Sequence, residues 1–217
     1  MMNVKRFSVF FIVCVLALVV LAGVTEAANV KGGFSAADLK KMSTFLSNFT
    51  ELGFMDFDIE ADGSDELLHL GAADAAPDLV RFGIWHNYIN NYKSRIAQCN
   101  TNDCPHGSLT INGEFTEESV KKYFDLNLKN QSFMESDPPY YFDGKLYHFE
   151  GADGEAVYYA EVKEATVGNG GVVRMVGEIY NAEDKDDRPA TFEAAAKPYK
   201  FGGKDTWAIL SLRTEWN

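Results

Sequence analysis

The sequence predicts an α+β protein in which N-terminal helices pack on a curved antiparallel β-meander of five or six strands. In the first part of the chain, residues 34–130, apolar residues recur at the helical period of about 3.6 residues. From residue 139 to 216, apolar and polar residues alternate instead, and turn sequences separate the alternating runs. No long low-complexity tract interrupts the two parts. We therefore predict a single α+β domain over residues 28–217.

Three helices are predicted in the first part. The first begins after a capping box of Ser35 and Asp38 and ends at Gly53. The second begins at Pro77, a residue that suits the first turn of a helix, and the third begins at Thr116. The apolar faces of the first two helices consist of Leu39, Met42, Leu46 and Phe49, and of Phe82, Trp85, Ile89, Tyr92 and Ile96. A short strand is expected between the second and third helices, at residues 107–113.

The meander is predicted from its turns. The pair Asp143-Gly144 indicates a tight hairpin, because glycine tolerates the positive φ that such a turn requires. A second pair, Asp153-Gly154, is also explained by turn geometry. The predicted strands are Tyr140–Phe142, Lys145–Phe149, Ala156–Val167, Val172–Tyr180, Thr191–Lys197 and Trp207–Thr214.

The N-terminus has the layout of a secretory signal peptide. Lys5 and Arg6 precede an apolar run from Phe7 to Val24, and small residues around Ala27 resemble a cleavage site. We predict cleavage after residue 27 and export to the periplasm or the cell exterior. The alternative is an uncleaved N-terminal membrane anchor, since a run of this length can just span a bilayer. After cleavage no membrane insertion is expected.

Cysteine count and charge narrow the classes of function. Cys99 and Cys104 are the two cysteines beyond the signal peptide, and in an exported chain they predict a disulfide. A four-cysteine zinc site is excluded by count. The chain has a net charge of −12, and loss of Lys5, Arg6 and Glu26 with the signal peptide makes it one unit more negative. Such a surface repels phosphate, so no nucleic-acid partner is predicted.

An acidic segment at residues 56–66 is the best candidate for a metal site. Asp58, Glu60, Asp62 and Gly63 match the start of an EF-hand loop. The match then fails, since Asp65 stands where an apolar residue is required and His69 stands where the bidentate glutamate is required. We predict a solvated acidic loop and no metal, with an irregular calcium site as the alternative.

Three residues are candidates for ligand binding. His86 and Asn90 lie four residues apart and share a face of the second helix, where His86 could act as a general base beside a cavity. The alternative is an ordinary polar helix edge. Tyr147 belongs to an aromatic hairpin that could stack on a carbohydrate or peptide, although pairing across the hairpin also explains it.

Motifs for catalysis are missing from the sequence. It contains no nucleophile elbow, no P-loop and no metalloprotease motif, so we predict no catalytic residues and no cofactor. Glu161, Glu164 and Glu178 lie on predicted strands, and two of them could form a carboxylate pair of the kind used in glycoside hydrolysis.

The order of helices followed by a meander, with W-A-I-L-S-L in the last strand, resembles the cystatin-like and NTF2-like folds over residues 75–216. The segments F-L-S-N-F-T-E at 45–51, W-H-N-Y-I-N-N at 85–91 and D-G-K-L-Y-H-F at 143–149 resemble uncharacterised exported bacterial proteins, many of them lipoproteins. This chain departs from the lipoproteins because it lacks the lipid-attachment cysteine. The resemblance implies no specific activity.

These observations favour an exported, non-enzymatic binding module for a small ligand or another exported protein. One alternative is a small cavity enzyme of the NTF2-like kind, an isomerase or hydrolase that uses His86. Another is a scaffold component of a cell-surface assembly, which would recruit its partner through an exposed edge of the strand at 207–214.

Overall fold

The computed structural model describes residues 33–60, 67–100, 104–151 and 157–217. The predicted signal peptide, the acidic-loop residues Asp62, Gly63 and Asp65, and the Asp153-Gly154 pair lie outside the described residues. Within the described ranges there are three α-helices, α1 (Ala36–Thr50), α2 (Ala76–Arg95) and α3 (Gly113–Phe124). None of the helices in these ranges is long and apolar enough to cross a membrane.

The strands form two sheets, which confirms the α+β class. A six-stranded sheet has the order β2-β1-β10-β9-β8-β7, and a four-stranded sheet has the order β3-β4-β6-β5. The strands are β1 (Phe57–Asp58), β2 (Leu68–His69), β3 (Ile96–Gln98), β4 (Leu109–Asn112), β5 (Tyr141–Phe142), β6 (Leu146–Phe149), β7 (Tyr158–Val167), β8 (Val173–Asn181), β9 (Ala190–Phe201) and β10 (Lys204–Trp216).

The meander consists of β7 to β10, which pair consecutively and antiparallel. It differs from the prediction at its start, because the hairpin β5–β6 is not part of it. Strand β6 pairs instead with β4, with Ile111 opposite Tyr147. This pairing turns the apolar residues of both strands toward α2, where they form a separate core. The six-stranded sheet is completed by β1, from the acidic segment, and by β2, which follows that segment in the chain.

Both ends of the six-stranded sheet meet other parts of the chain. At one end, the short strands β2 and β1 flank β10: β1 pairs with β10 at Ser211 and Leu212, and the N–H of Ile59 donates to the carbonyl of Leu210. The strand at 207–214, on which the scaffold alternative depends, is therefore covered by β1 around residues 210–212. At the other end, α1 lies along β7.

Hydroxyl groups of α1 hydrogen-bond the edge of β7. The N–H of Ala160 donates to Oγ of Ser47 at 3.1 Å, and the N–H of Val162 donates to Oγ of Ser43 at 2.9 Å. Oγ1 of Thr50 donates to the carbonyl of Tyr158 at 2.9 Å. These bonds satisfy backbone groups that an edge strand would otherwise leave open to another chain.

Helix α2 joins two apolar cores. Leu79 and Phe82 pack in the core between the six-stranded sheet, α1 and α3, whereas Val80 and Ile84 pack against the four-stranded sheet. Gly83 lies against α3 so closely that an added Cβ would stand 2.5 Å from Cγ2 of Thr116. The missing side chain thus allows α2 and α3 to approach.

Several predictions made from short sequence signals are confirmed. The capping box of Ser35 and Asp38 starts α1. Proline occupies the first turn of α2. Helix α3 begins at Gly113, three residues before the predicted start, with Asn112 as its N-cap. The predicted disulfide between Cys99 and Cys104 is present and closes the loop between β3 and β4.

Candidate functional site

His86 lies in the core and is only 5% exposed. Its ring is parallel to that of Phe82, with centroids 5.7 Å apart, and meets the ring of Tyr123 at 4.7 Å. Burial lowers the pKa of His86 to about 3, and the nearby cations Lys122 and Arg95 act in the same direction. The imidazole is therefore neutral at physiological pH. A general base requires a pKa near the working pH and access to substrate, and His86 has neither.

Asn90 lies beside His86, as their shared helix face predicts. Nδ2 of Asn90 donates to Oε1 of Glu51 at 2.6 Å and lies 3.3 Å from Nδ1 of His86. Burial raises the pKa of Glu51, which the bond from Asn90 partly offsets. The amide thus links the end of α1 to α2, and its hydrogen bonds are used within the protein.

Tyr147 is completely buried in the other core, against the four-stranded sheet. Its hydroxyl oxygen accepts the N–H of Gln131 at 3.2 Å, and burial raises its pKa to about 12. The structure therefore does not bring Tyr147 together with His86 and Asn90. An aromatic side chain with no exposed surface offers no platform for stacking on a ligand.

The acidic segment shows no metal geometry in its described residues. Asp58 lies on β1 and accepts from Nη2 of Arg213 at 2.6 Å. His69 lies on β2, beside Asp58 in the parallel register. Across the described ranges, no group of three His, Cys, Asp or Glu side chains is placed to hold a metal ion.

The strand carboxylates Glu161 and Glu178 are brought together. They stand directly opposite each other on β7 and β8. Nζ of Lys163 lies 2.8 and 3.3 Å from the two carboxylates, and Nη1 of Arg188 lies 2.6 and 2.7 Å from them. The hydrogen bond from Lys163 is the main cause of a lowered pKa of Glu161, to which Arg188 adds. Glycoside hydrolysis needs a general acid with a raised pKa, so this pair forms an ion-pair network instead.

The six-stranded sheet has one face covered by α1 and α3 and one face open to solvent. We call the open one the outer face. Burial alternates accordingly along β8, where Val173 and Met175 are buried and Arg174 and Val176 are exposed. The outer face carries Glu161, Lys163, Glu164 and Thr166 of β7, Arg174, Val176 and Glu178 of β8, Thr191, Glu193 and Ala195 of β9, and Ser211, Arg213 and Glu215 of β10.

Two shallow hollows lie side by side on the outer face. One has a volume of about 480 Å³ and the other about 470 Å³, and both are lined by Val176, Glu193 and Arg213. The register places Glu164, Val176 and Glu193 in one row across β7, β8 and β9. Val176 is 40% exposed, so an apolar side chain stands between two carboxylates in the open hollow.

The charges of the outer face are only partly paired. Asp58 pairs with Arg213, and Glu161 and Glu178 pair with Lys163 and Arg188. Glu164 and Glu193 have no ion pair or hydrogen bond to another side chain in the described residues. The same hollow is lined by Arg174 and by Arg213, which stands opposite Glu193 in the register of β9 and β10. The carboxylates therefore lie beside an apolar side chain and next to cationic side chains.

Part of this arrangement of carboxylates around an exposed valine can be predicted from the sequence. The sequence predicts Glu161, Glu164 and Glu178 on strands, and the alternation along β8 and β9 indicates that Val176 and Glu193 are both exposed. Only the register of three strands shows that Glu164, Val176 and Glu193 form one row. No family model, curated protein or solved structure matches the chain.

Proposed function

We propose that the protein is an exported, non-enzymatic binding module that holds a basic segment of a protein partner on the outer face. The observation that carries the proposal is the row of Glu164, Val176 and Glu193, in which two carboxylates that have no ion pair among the described residues flank an exposed apolar side chain. Arg213 stands opposite Glu193 at the end of this row. Neighbouring strands stand about 4.8 Å apart, so the two carboxylates are about 10 Å apart at the backbone. Two lysine or arginine side chains on either side of an apolar residue would match this row.

The charge of the whole chain supports the same class of partner. With a net charge of −12, the protein attracts a basic partner at long range and repels an acidic one. The hollow then supplies the local contacts. We include in the proposal the export signal, the kinship with uncharacterised exported bacterial proteins, and a cystatin-like or NTF2-like fold. An antiparallel sheet with helices on one face supports the last of these.

The cavity-enzyme alternative is not part of the proposal. It depends on His86 as a base beside an open cavity, whereas His86 is a neutral ring between Phe82 and Tyr123. The scaffold alternative depends on an exposed edge at 207–214, where β1 pairs with β10. No observation on the described residues favours either alternative over binding at the outer face.

The test measures binding of a synthetic peptide of alternating lysine and valine by isothermal titration calorimetry. We expect saturable binding that weakens as salt is added. The variant Glu164→Gln with Glu193→Gln should bind about tenfold more weakly, because each exposed charge pair contributes up to ~1 kcal/mol. The matched control is Glu114→Gln with Glu135→Gln, which removes the same charge from exposed positions away from the outer face. Equal weakening by both double variants would refute the site.

A further inference from the structure

A disulfide, a histidine and a carboxylate lie in line on the four-stranded sheet. Sγ of Cys99 lies 3.9 Å from Nδ1 of His148, and Nε2 of the same imidazole lies 3.0 Å from Oδ2 of Asp143. Cys99 is bonded to Cys104. We call these four residues the disulfide site. It belongs to a different sheet from the outer face, and the proposed binding function does not use it.

The hairpin turn fixes the carboxylate of the disulfide site. Oδ1 of Asp143 accepts the N–H groups of Lys145 at 2.8 Å and Leu146 at 2.7 Å. Gly144 takes the positive φ that this reversal needs. The bond from Leu146 is the main cause of a lowered pKa of Asp143, and His148 and Lys145 add to it. The carboxylate is therefore ionised at neutral pH, and its Oδ2 is available to accept a hydrogen bond.

The tautomer of His148 follows from this arrangement. An ionised Asp143 can only accept, so Nε2 of His148 carries the hydrogen and donates it to Oδ2. In the neutral ring Nδ1 then carries a lone pair, and this atom faces Sγ of Cys99. The ring has little room to turn, since the side chain of His148 is only 13% exposed. A thiol at Cys99 would therefore meet an oriented base.

Strand pairing brings the histidine to the sulfur. His148 pairs with Thr110 of β4, and Thr110 pairs with Ala97 of β3. The N–H of Cys99 donates to the carbonyl of Ser108 at 2.8 Å. The backbone hydrogen bonding between β3 and β4 therefore continues as far as the disulfide. The contact between Cys99 and His148 is thus set by the backbone of three strands.

We propose that the Cys99–Cys104 disulfide is a redox-exchange site that accepts two electrons from a dithiol, with His148 stabilising Cys99 as the leaving group. Asp143 is a positioning residue that orients the imidazole. Thiol–disulfide exchange is faster when the departing sulfur is the more stable thiolate. The histidine contacts Cys99, so Cys99 is the sulfur that leaves and Cys104 is the sulfur that is attacked.

The exchange balances in two steps. One thiol of the dithiol loses its proton, which Nδ1 of His148 takes up, and the resulting thiolate attacks Sγ of Cys104. The bond between Cys104 and Cys99 breaks, and Cys99 leaves with the electron pair as a thiolate that the imidazolium of His148 stabilises. The second thiol then loses its proton and attacks the dithiol sulfur of the mixed disulfide, so that the two dithiol sulfurs become bonded to each other, and Cys104 leaves with the electron pair and takes up that proton. The dithiol is oxidised to a disulfide and the protein disulfide is reduced.

Other titratable groups surround the disulfide site. The ring of His106 lies 4.1 Å from that of Tyr141, which in turn lies 5.6 Å from the ring of His148. Glu150 accepts from the hydroxyl of Ser108 at 2.8 Å. A protonated His106 would favour the thiolate and Glu150 would oppose it. The effect of His148 is expected to outweigh both, because Nδ1 of His148 lies 3.9 Å from Sγ of Cys99.

The test begins with the reduced protein. Each cysteine is alkylated by iodoacetamide across a range of pH, and mass analysis of peptides separates Cys99 from Cys104. We expect Cys99 to titrate at least about one pH unit below the ordinary thiol value of about 8.5, and Cys104 to titrate near that value. His148→Gln should return Cys99 to about 8.5, and Asp143→Asn should move it part of the way. His69→Gln, in the other sheet, is the matched control.

A redox titration against dithiothreitol completes the test. The wild-type disulfide should be reduced with an equilibrium constant about tenfold larger than that of His148→Gln, or about 30 mV for two electrons. A structural disulfide would show neither the low Cys99 titration nor this dependence. If Cys99 in the wild type titrates near 8.5, the proposal is overturned whether or not the variants fold. The proposal is also overturned if a folded His148→Gln or Asp143→Asn variant shows the same titration of Cys99 as the wild type.

Discussion

Replacement of His86 by phenylalanine should flatten the dependence of protein stability on pH. In the folded protein the pKa of His86 is lowered to about 3 by burial, whereas the unfolded chain has the ordinary value of 6.5. Between these values the unfolded chain holds more protons than the folded one, so the free energy of unfolding rises with pH. The contribution of neutral His86 is complete above pH 6.5 and is lost as the pH falls toward 3.

The expected magnitude follows from this difference in pKa. Each pH unit inside the window changes the free energy of unfolding by ~1.4 kcal/mol. Between pH 7 and 5 the wild type should therefore lose ~2 kcal/mol through His86. His86→Phe keeps a flat ring against Phe82 and Tyr123 but does not titrate, so it should lack this loss. Glu51 acts in the opposite direction because burial raises its pKa, and this contribution is present in both proteins.

The assay is urea unfolding followed by tryptophan fluorescence at pH 5, 6 and 7, for the wild type and His86→Phe. For each protein we take the change in the free energy of unfolding between pH 7 and 5, and we compare this change between the wild type and His86→Phe. Groups that titrate equally in both proteins cancel in this comparison. Parallel curves would refute the reasoning. An NMR titration of the wild type that places the pKa of His86 near 6.5 would also refute it, and would reopen a role for His86 as a base.

Two further changes test the packing of the helices. Gly83→Ala should destabilise the protein by ~1–2 kcal/mol in urea unfolding, because a clash with Thr116 outweighs the gain in helix propensity; unchanged or greater stability would contradict the close approach of α2 and α3. Ser43→Ala with Ser47→Ala should cost ~1–2 kcal/mol and promote self-association in analytical ultracentrifugation, because two N–H groups at the edge of β7 lose their acceptors. Thr44→Ala, whose hydroxyl donates to its own helix, is the control and should remain monodisperse like the wild type.

Local sequence signals predicted the helices well. Ser35 and Asp38 cap α1, and Pro77 starts α2, because these effects act within one turn of a helix. The Asp143-Gly144 hairpin and the Cys99–Cys104 disulfide were also predicted, since each depends on residues close together in the chain. These features need no knowledge of distant partners.

The partition of strands into two sheets could not be predicted from local patterns. The alternation in β6 is compatible with either sheet, and its partner β4 lies more than thirty residues earlier. Strands β1 and β2 have two residues each, which is too short to show a period. Their place in the sheet depends on the pairing of β1 with β10 at the opposite end of the chain.

The burial of His86 was missed for a related reason. The second helix was predicted to have one apolar face, which left His86 on a polar edge. In the structure α2 is buried on two faces, because it packs against both cores. A histidine next to one face then falls between aromatic rings from α2 and α3. For Tyr147 the sequence left stacking on a ligand and pairing across the hairpin both open, and the pairing of β6 with β4 buries it.

Whether the outer face binds a partner is tested most directly by NMR. The isotopically labelled protein is titrated with the lysine–valine peptide, and shifts of backbone amides are mapped onto the structure. We predict the largest shifts in β7, β8 and β9 around Glu164, Val176 and Glu193, and their loss in the Glu164→Gln, Glu193→Gln variant. Shifts that cluster on another surface, or none at saturating peptide, would contradict the account.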